Sequence, residues 1–118
     1  MSEQYPFSDL PHLDEDVIRP LQELLGDNFS ELVDDYLESF PIKLQELKHA
    51  AMNNDIEALM QISHTLKSSS GSFGFIRLFK SLERLELQAR SNDVKEPTQQ
   101  VDFIEQEFNC ILDHMGSS

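Results

Sequence analysis

The chain has 118 residues, enough for one domain with a modest core. Its formal net charge of −13 argues against a general nucleic-acid binder and against binding to an anionic membrane surface. No apolar run approaches the ~20 residues that span a bilayer, no signal peptide opens the chain, and the single Cys110 precludes an internal disulfide. These features predict a cytoplasmic protein.

The negative charge is unevenly distributed along the chain. Residues 64–90 carry a local net charge of +3, whereas the other 91 residues carry −16. A region whose sign opposes that of its chain indicates a place where an anion or an acidic partner docks. The alternative is that these are ordinary solvated Lys and Arg side chains on a helix surface.

The first two predicted helices follow from apolar residues that recur at spacings of three and four. A short helix begins near Asp14 and ends at Gly26. Its apolar positions are Val17, Ile18, Leu21, Leu24 and Leu25. A long second helix contains Pro41, which removes a backbone hydrogen bond and kinks the chain. Because the apolar phase continues through the proline up to Ala51, one bent helix is predicted.

Three further helices follow after polar breaks. Asp55 is a suitable N-cap for the third helix, which runs to about Ser72 with Gly74 as its C-terminal signal. The apolar positions of the fourth are Leu78, Leu82, Leu85 and Ala89. A polar connection over residues 91–97 precedes the fifth helix, which Pro97 opens. The apolar positions of the fifth are Val101, Ile104, Phe108, Ile111 and Met115.

These elements predict an all-α protein. Short connections make sequential helices pack antiparallel, so the expected fold is an antiparallel four-helix bundle with a short additional N-terminal helix. The expected domain covers residues 13–115, with an N-terminal extension at 1–12 and a C-terminal tail at 116–118.

One histidine, His64, is predicted to face solvent from the third helix. The expected core positions of that helix are Leu59, Ile62, Leu66, Ser69 and Phe73. At ~100° per residue, His64 lies roughly 180° from the middle of this stripe. Ser68 and Gly71 on its side of the helix leave the imidazole uncovered. Small residues of poor helix propensity cost stability, so their presence calls for a reason.

The segment HTLKSSSGSFG, residues 64–74, resembles the signature of histidine phosphotransfer (HPt) domains, H-x-L-K-G-[SA]-[SA]-x-x-x-G. The segments LDEDVIRPLQELLGD and LERLELQAR resemble the family's flanking helices, and the resemblance extends from about Leu13 to Leu112. Ser68 stands where the family nearly always has glycine, a difference that bears on how closely a partner approaches.

The resemblance implies that His64 accepts a phosphoryl group from the aspartyl-phosphate of one receiver domain and passes it to the aspartate of another. It also implies that Lys67 lies near the phosphoryl oxygens and stabilises their negative charge. The expected docking surface around His64 comprises Met60, Gln61, Ser68, Gly71 and Phe75. The neutral imidazole is a suitable nucleophile near neutral pH.

The resemblance also implies a carrier, not an enzyme with kinase activity of its own. We expect no cofactor and no metal site in this chain, no carboxylate cluster beside His64, and Mg²⁺ supplied by the partner receiver. The expected partners are the receiver domain of a hybrid sensor histidine kinase and that of a response regulator. They would bind a monomer transiently, with no role for nucleic acid or membrane.

Other interpretations remain open at this point. The chain could be a non-phosphorylated helical protein-interaction module, for which His64 would be dispensable. A metal or haem bundle could use Cys110 and His114, but two ligands without a third do not make a site. Cys110 is then a buried small hydrophobe, and His12, His49 and His114 are ordinary surface residues. An initial Met-Ser-Glu favours a free-standing protein over a fragment of a hybrid kinase.

Overall fold

The computed structural model describes residue 7 and residues 9–116, and its regular structure over these residues is helical. The elements are α1 (Glu15–Leu25), α2 (Asp27–Met52), α3 (Ile56–Ser72), α4 (Ile76–Arg90), α5 (Pro97–Ile111) and a π-helical turn (Leu112–Gly116). The predicted all-α bundle is confirmed. Most of the predicted N-terminal extension and the last two residues of the predicted tail lie outside the described residues.

The predicted helix boundaries agree with the structure. The Asp14 side chain accepts a hydrogen bond from the Asp16 amide, and that of Asp55 accepts one from the Ala58 amide, so both cap a helix N-terminus. The long second helix continues through Pro41, which confirms a single helix there. None of the described helices combines the length and the apolar character that a membrane span requires.

Gly74 joins α1 to the turn between α3 and α4. Its φ of 77° lies in the left-handed region that favours glycine. A Cβ at this position would lie 2.9 Å from the Val17 Cβ, and the Gly74 carbonyl accepts a 2.7 Å hydrogen bond from the Asp14 amide. The glycine therefore lets the start of α1 pack directly over this turn.

Aromatic rings from α2, the start of α4 and α5 meet in the core. The rings of Phe40 and Phe108 stack with centroids 4.2 Å apart, and Tyr36 lies 5.3 Å from Phe75. The Tyr36 hydroxyl and the Ser70 hydroxyl share a 2.7 Å hydrogen bond. Burial raises the pKa of Tyr36 far above its usual value, although the bond to Ser70 acts in the opposite direction. The phenol therefore stays neutral and satisfies a buried serine.

The buried face of α3 differs from the predicted one. Leu59 and Leu66 are buried as expected, but Ser63 and Ser70 complete the stripe, whereas Ile62, Ser69 and Phe73 are only half-buried. The Ser63 hydroxyl donates to the Leu59 carbonyl at 2.5 Å, so its burial leaves no unsatisfied donor. The small side chains allow α3 and α4 to make the most extensive contact between any two described helices. Close helix packing is thus one reason for the row of small residues.

Other expectations about burial were also wrong. Leu24 in α1 is 80% exposed because the short helix covers the bundle with only one edge. Cys110 is exposed, not a buried small hydrophobe, because Ile111 takes the buried position beside it in α5.

Phe75, expected on the docking surface, is fully buried. It occupies the N-cap position of α4, immediately after the turn at Gly74, which directs its ring inward against Tyr36 and Phe73. Phe75 therefore belongs to the core and cannot contact a partner in the folded protein.

We expect Phe75→Ala to lower the free energy of unfolding by about 3 to 5 kcal/mol, because it leaves a cavity among the core rings. Phe75→Leu should cost less, since it keeps much of the volume. The control is Leu87→Ala, which truncates a side chain that is 56% exposed and should change stability by no more than about 0.5 kcal/mol. Urea denaturation measures all three, and a Phe75→Ala variant as stable as wild type would contradict the core assignment.

Candidate functional site

The imidazole of His64 lies on the outer side of α3 and is 55% exposed, as predicted. Its Nδ1 atom lies 2.9 Å from Oε2 of Glu86, which projects from α4. The histidine is therefore both accessible to a partner and held in orientation by a neighbouring helix.

Glu86 connects the site's charged groups. Its side chain is only 3% exposed. Arg90, one turn further along α4, donates from Nη2 to Oε2 at 2.7 Å and from Nε at 3.1 Å. The Lys67 Nζ, from α3, forms an ion pair with Oε1 at 2.8 Å. A buried carboxylate is costly unless it is paired, and three groups from two helices pair this one.

The surroundings of Glu86 keep its carboxylate ionised. Burial alone raises the pKa of Glu86, but the contacts with Lys67, Arg90 and His64 outweigh burial and lower it from 4.5 to about 2. At neutral pH the carboxylate is therefore charged and can only accept hydrogen bonds.

This charge state determines which nitrogen of His64 carries the proton. A carboxylate acceptor at Nδ1 requires the proton to be on Nδ1. The lone pair of the neutral ring then lies on Nε2, the nitrogen not engaged by Glu86. The arrangement presents Nε2 as a nucleophile and provides a negative charge that stabilises the ring when it becomes positive, as a carboxylate does behind a catalytic histidine.

The residues expected around His64 fall into three groups, which are exposed, half-buried and fully buried. Gln61 and Ser68 are exposed, and Met60 is half-buried, one turn before the histidine. Gly71 is half-buried, and a Cβ there would lie 2.9 Å from the Phe79 ring. Gly71 thus serves the packing of α3 on α4 in addition to any role at the surface. Phe75 lies in the core, as described above.

The positive region at residues 64–90 is largely paired within the molecule. The ion pairs are Lys67 and Arg90 with Glu86, Lys80 with Glu83, and Arg77 with Glu107. The Arg84 guanidinium lies over the Phe7 ring at 5.7 Å. Much of the local positive charge therefore stabilises the fold before any partner binds.

Comparison with known proteins shows the family to which the chain belongs. A family model of the Hpt domain matches residues 31–114. The chain belongs to the Hpt domain family. The solved structure of histidine-containing phosphotransfer protein B (HptB) from Pseudomonas aeruginosa PAO1 is similar with a TM-score of 0.85 and 27% identity, over 90% of this chain and 92% of that one. No curated protein matched the chain.

Membership in the Hpt family makes this chain a histidine phosphotransfer protein of two-component signalling. Sequence reasoning identified His64 and Lys67 but not Glu86 and Arg90. A signal existed: Glu86 adjoins the apolar positions Leu82 and Leu85 of α4, where a charge needs partners, and Arg90 follows at i+4. The sequence does not show how α3 and α4 align along their axes, and this alignment brings Glu86 next to His64.

The Glu86 pairing in this Hpt protein should appear in the pH dependence of stability. Because the pKa of Glu86 in the folded state lies below 4.5, its contribution is fully present above about pH 4.5 and is lost as pH falls through about 2. Glu86→Gln should be less stable than wild type at neutral pH. This gap should narrow by about 3 kcal/mol between about pH 5 and about pH 2, measured by urea denaturation.

Glu83→Gln is the matched control on α4. The Glu83 side chain is 34% exposed and pairs with Lys80 at 3.4 Å, so it lacks the buried contacts of Glu86. The free energy of unfolding of this variant should change with pH in the same way as that of wild type. A constant gap between wild type and Glu86→Gln over the whole pH range would show that the buried carboxylate does not depend on its charged partners.

Proposed function

We propose that the chain carries a phosphoryl group on Nε2 of His64 between the aspartates of two receiver domains. The observation that supports this most directly is an exposed imidazole whose other nitrogen is bound to a buried, ionised carboxylate. Such partners would also locate the chain in the cytoplasm. The first receiver would belong to a hybrid sensor histidine kinase and the second to a response regulator.

In the proposed transfer, the Nε2 lone pair attacks the phosphorus of an aspartyl-phosphate. The N–P bond forms as the P–O bond to the aspartate breaks, and the aspartate leaves as a carboxylate. The imidazole gains positive charge, which Glu86 offsets through the Nδ1 proton. In the second transfer an aspartate oxygen attacks the same phosphorus and the N–P electron pair returns to the ring. Such reactions depend chiefly on positioning and charge stabilisation.

Lys67 can interact with two anionic groups, the carboxylate of Glu86 and the phosphoryl group proposed on His64. Lys67 lies three positions after His64 on α3. In the free protein its Nζ forms an ion pair with Glu86. We expect it to turn toward the phosphoryl oxygens when His64 is phosphorylated, because they carry more negative charge. Glu86 would keep Arg90 and the Nδ1 proton, so the carboxylate would not be left unpaired.

The divalent cation of the proposed transfer belongs to the receiver. Among the described residues, the carboxylate next to His64 is that of Glu86, and both of its oxygens are already taken by cationic groups. Mg²⁺ prefers several oxygen ligands, which this site does not offer. An acidic pocket on the receiver would supply it, so this chain would act as a carrier and not as an independent kinase.

The proposed docking surface comprises Met60, Gln61, Ser68 and Gly71 with His64 at its centre. Leu87, which follows Glu86 in the sequence, adds an apolar side chain that is 56% exposed. One face that serves donor and acceptor in turn requires transient 1:1 complexes with a monomer. Ser68 is small enough to preserve close approach, although it differs from the usual glycine.

His64→Gln should abolish phosphorylation by a phosphorylated receiver in the presence of Mg²⁺, because glutamine lacks a nucleophilic ring nitrogen. Wild type should acquire label that is labile in acid and stable in base. His114→Gln is the matched control, since His114 is an exposed histidine beyond α5, and it should be labelled like wild type.

Two outcomes would contradict this assignment of the phosphorylated residue. Equal labelling of wild type and His64→Gln would mean that another residue accepts the group. Absence of label in wild type with a broad panel of receivers, and in Ser68→Gly as well, would favour a protein-interaction module without phosphate chemistry.

Glu86→Gln should slow phosphotransfer by roughly tenfold or more, because a neutral amide stabilises the positive ring less and fixes its tautomer less well. Nitrogen NMR of His64 gives a readout that a purely structural role would not change. Wild type should show the proton on Nδ1, whereas the variant should populate both tautomers. A variant with normal tautomer and normal rate would exclude Glu86 as a positioning residue.

A further inference from the structure

A second cluster of reactive side chains lies away from His64. The ligand atoms of His12, Glu107 and Cys110 all lie within 4.8 Å of one another. His12 precedes α1, whereas Glu107 and Cys110 lie three positions apart on α5 and therefore share a face of that helix. The cluster combines an imidazole nitrogen, a carboxylate oxygen and a thiol sulfur.

Glu107 is the buried member of this cluster. Its side chain is 3% exposed, and Oε2 lies 2.6 Å from Nδ1 of His12. Its Oε1 atom is buried and accepts no hydrogen bond from any residue that the structure describes. The Arg77 Nη1 atom lies 3.7 Å from it, within ion-pair range but too far for a hydrogen bond. A buried carboxylate oxygen without a hydrogen bond is rare and calls for an explanation.

We propose that His12, Glu107 and Cys110 form a binding site for a divalent transition-metal ion of the zinc class. Zn²⁺ takes nitrogen, oxygen and sulfur ligands in tetrahedral geometry, and three protein ligands with water in the fourth position are a common arrangement. Thiolate and imidazole select such an ion over Mg²⁺ or Ca²⁺, which prefer oxygen. Bound to Glu107 and a thiolate, the ion would have its double positive charge neutralised.

The geometry needs little adjustment to hold the ion. Zinc bonds of about 2.0 to 2.3 Å place tetrahedral ligand atoms roughly 3.3 to 3.7 Å apart. The donor atoms already lie within 4.8 Å of one another, and Nδ1 of His12 and Oε2 of Glu107 would separate from 2.6 Å by about an ångström. The backbone before His12 is fixed as well, since the Leu10 carbonyl accepts a 2.9 Å hydrogen bond from Nε of Arg77.

A metal ion could reach this site from solvent. The His12 side chain is 42% exposed and Cys110 is exposed, while Glu107 forms the buried end of the cluster. The ion would connect the segment before α1 to α5. Arg77 and Glu86 are about 14 Å apart along the axis of α4, so the proposed metal site is separate from the His64 site.

This proposal reverses the expectation of no metal site. The sequence offered Cys110 with His114, at i and i+4, and no third ligand. In the structure the histidine partner is His12, which is distant in sequence, and Glu107 supplies the third donor. The simplest rival is that His12 and Glu107 form only an ion pair, with Cys110 nearby by chance.

Cobalt binding to the reduced, tag-free full chain tests the proposal, because Co²⁺ is a coloured substitute for Zn²⁺. Wild type should develop a thiolate-to-cobalt charge-transfer band in the near ultraviolet, which Zn²⁺ then displaces. The chain contains a single cysteine, so this band can arise only from Cys110. Zn²⁺ should also raise the Tm, because it binds the folded state.

Three variants separate the proposed site from its rival. Cys110→Ser should remove the band, and both Cys110→Ser and His12→Gln should weaken Zn²⁺ affinity by roughly tenfold or more. His114→Gln should bind like wild type. Because Cys110 is exposed and His12 half-exposed, these substitutions should leave the fold intact, which circular dichroism checks. Absence of the thiolate band in wild type, or Zn²⁺ affinity unchanged in either ligand variant, would overturn the proposal.

Discussion

The geometry around His64, the proposed phosphotransfer site, depends on one buried charge, the carboxylate of Glu86. A buried carboxylate without partners would cost several kcal/mol, and here His64, Lys67 and Arg90 surround it. Two of these partners come from α3 and one from α4, so the interactions that hold the two helices together also orient the imidazole. The stability of this helix pair and the nucleophilicity of Nε2 therefore depend on the same charge. A substitution that weakens the carboxylate would affect both properties.

The row of small residues in α3 makes that interaction possible. A 2.9 Å contact between His64 on α3 and Glu86 on α4 requires the helices to approach closely. Ser63 and Ser70 are buried on α3, and the Phe79 ring leaves no room for a Cβ at Gly71. Larger side chains at these positions would separate the helices and lengthen the contact. Most of the small residues thus act through helix packing on the orientation of the histidine, whereas the exposed Ser68 would act directly on a partner.

Local features were predictable from the sequence, and contacts between helices were not. The helix boundaries at Asp55 and Gly74 and the outward direction of His64 follow from capping and periodicity within one segment. The predicted buried face of α3 contained Ile62 and Phe73, because these side chains are larger and more apolar than Ser63 and Ser70. Packing against α4 favoured the smaller side chains. Phe75 follows a left-handed glycine, so neither neighbouring helix's periodicity predicts where its ring points.

The charge of the chain is a poor guide to how a partner would recognise it. The +3 region at 64–90 suggested a basic docking patch, yet Lys67 and Arg90 are both paired with Glu86 in the free protein. In the proposed transfer their positive charge would become available to a phosphoryl group only when the pairing rearranges, and pairing with Glu86 limits long-range attraction before contact. Recognition of the correct partner would then rest on shape and short-range hydrogen bonds around His64. The rest of the chain, whose 91 residues carry a net charge of −16, would repel acidic proteins that approach in the wrong orientation.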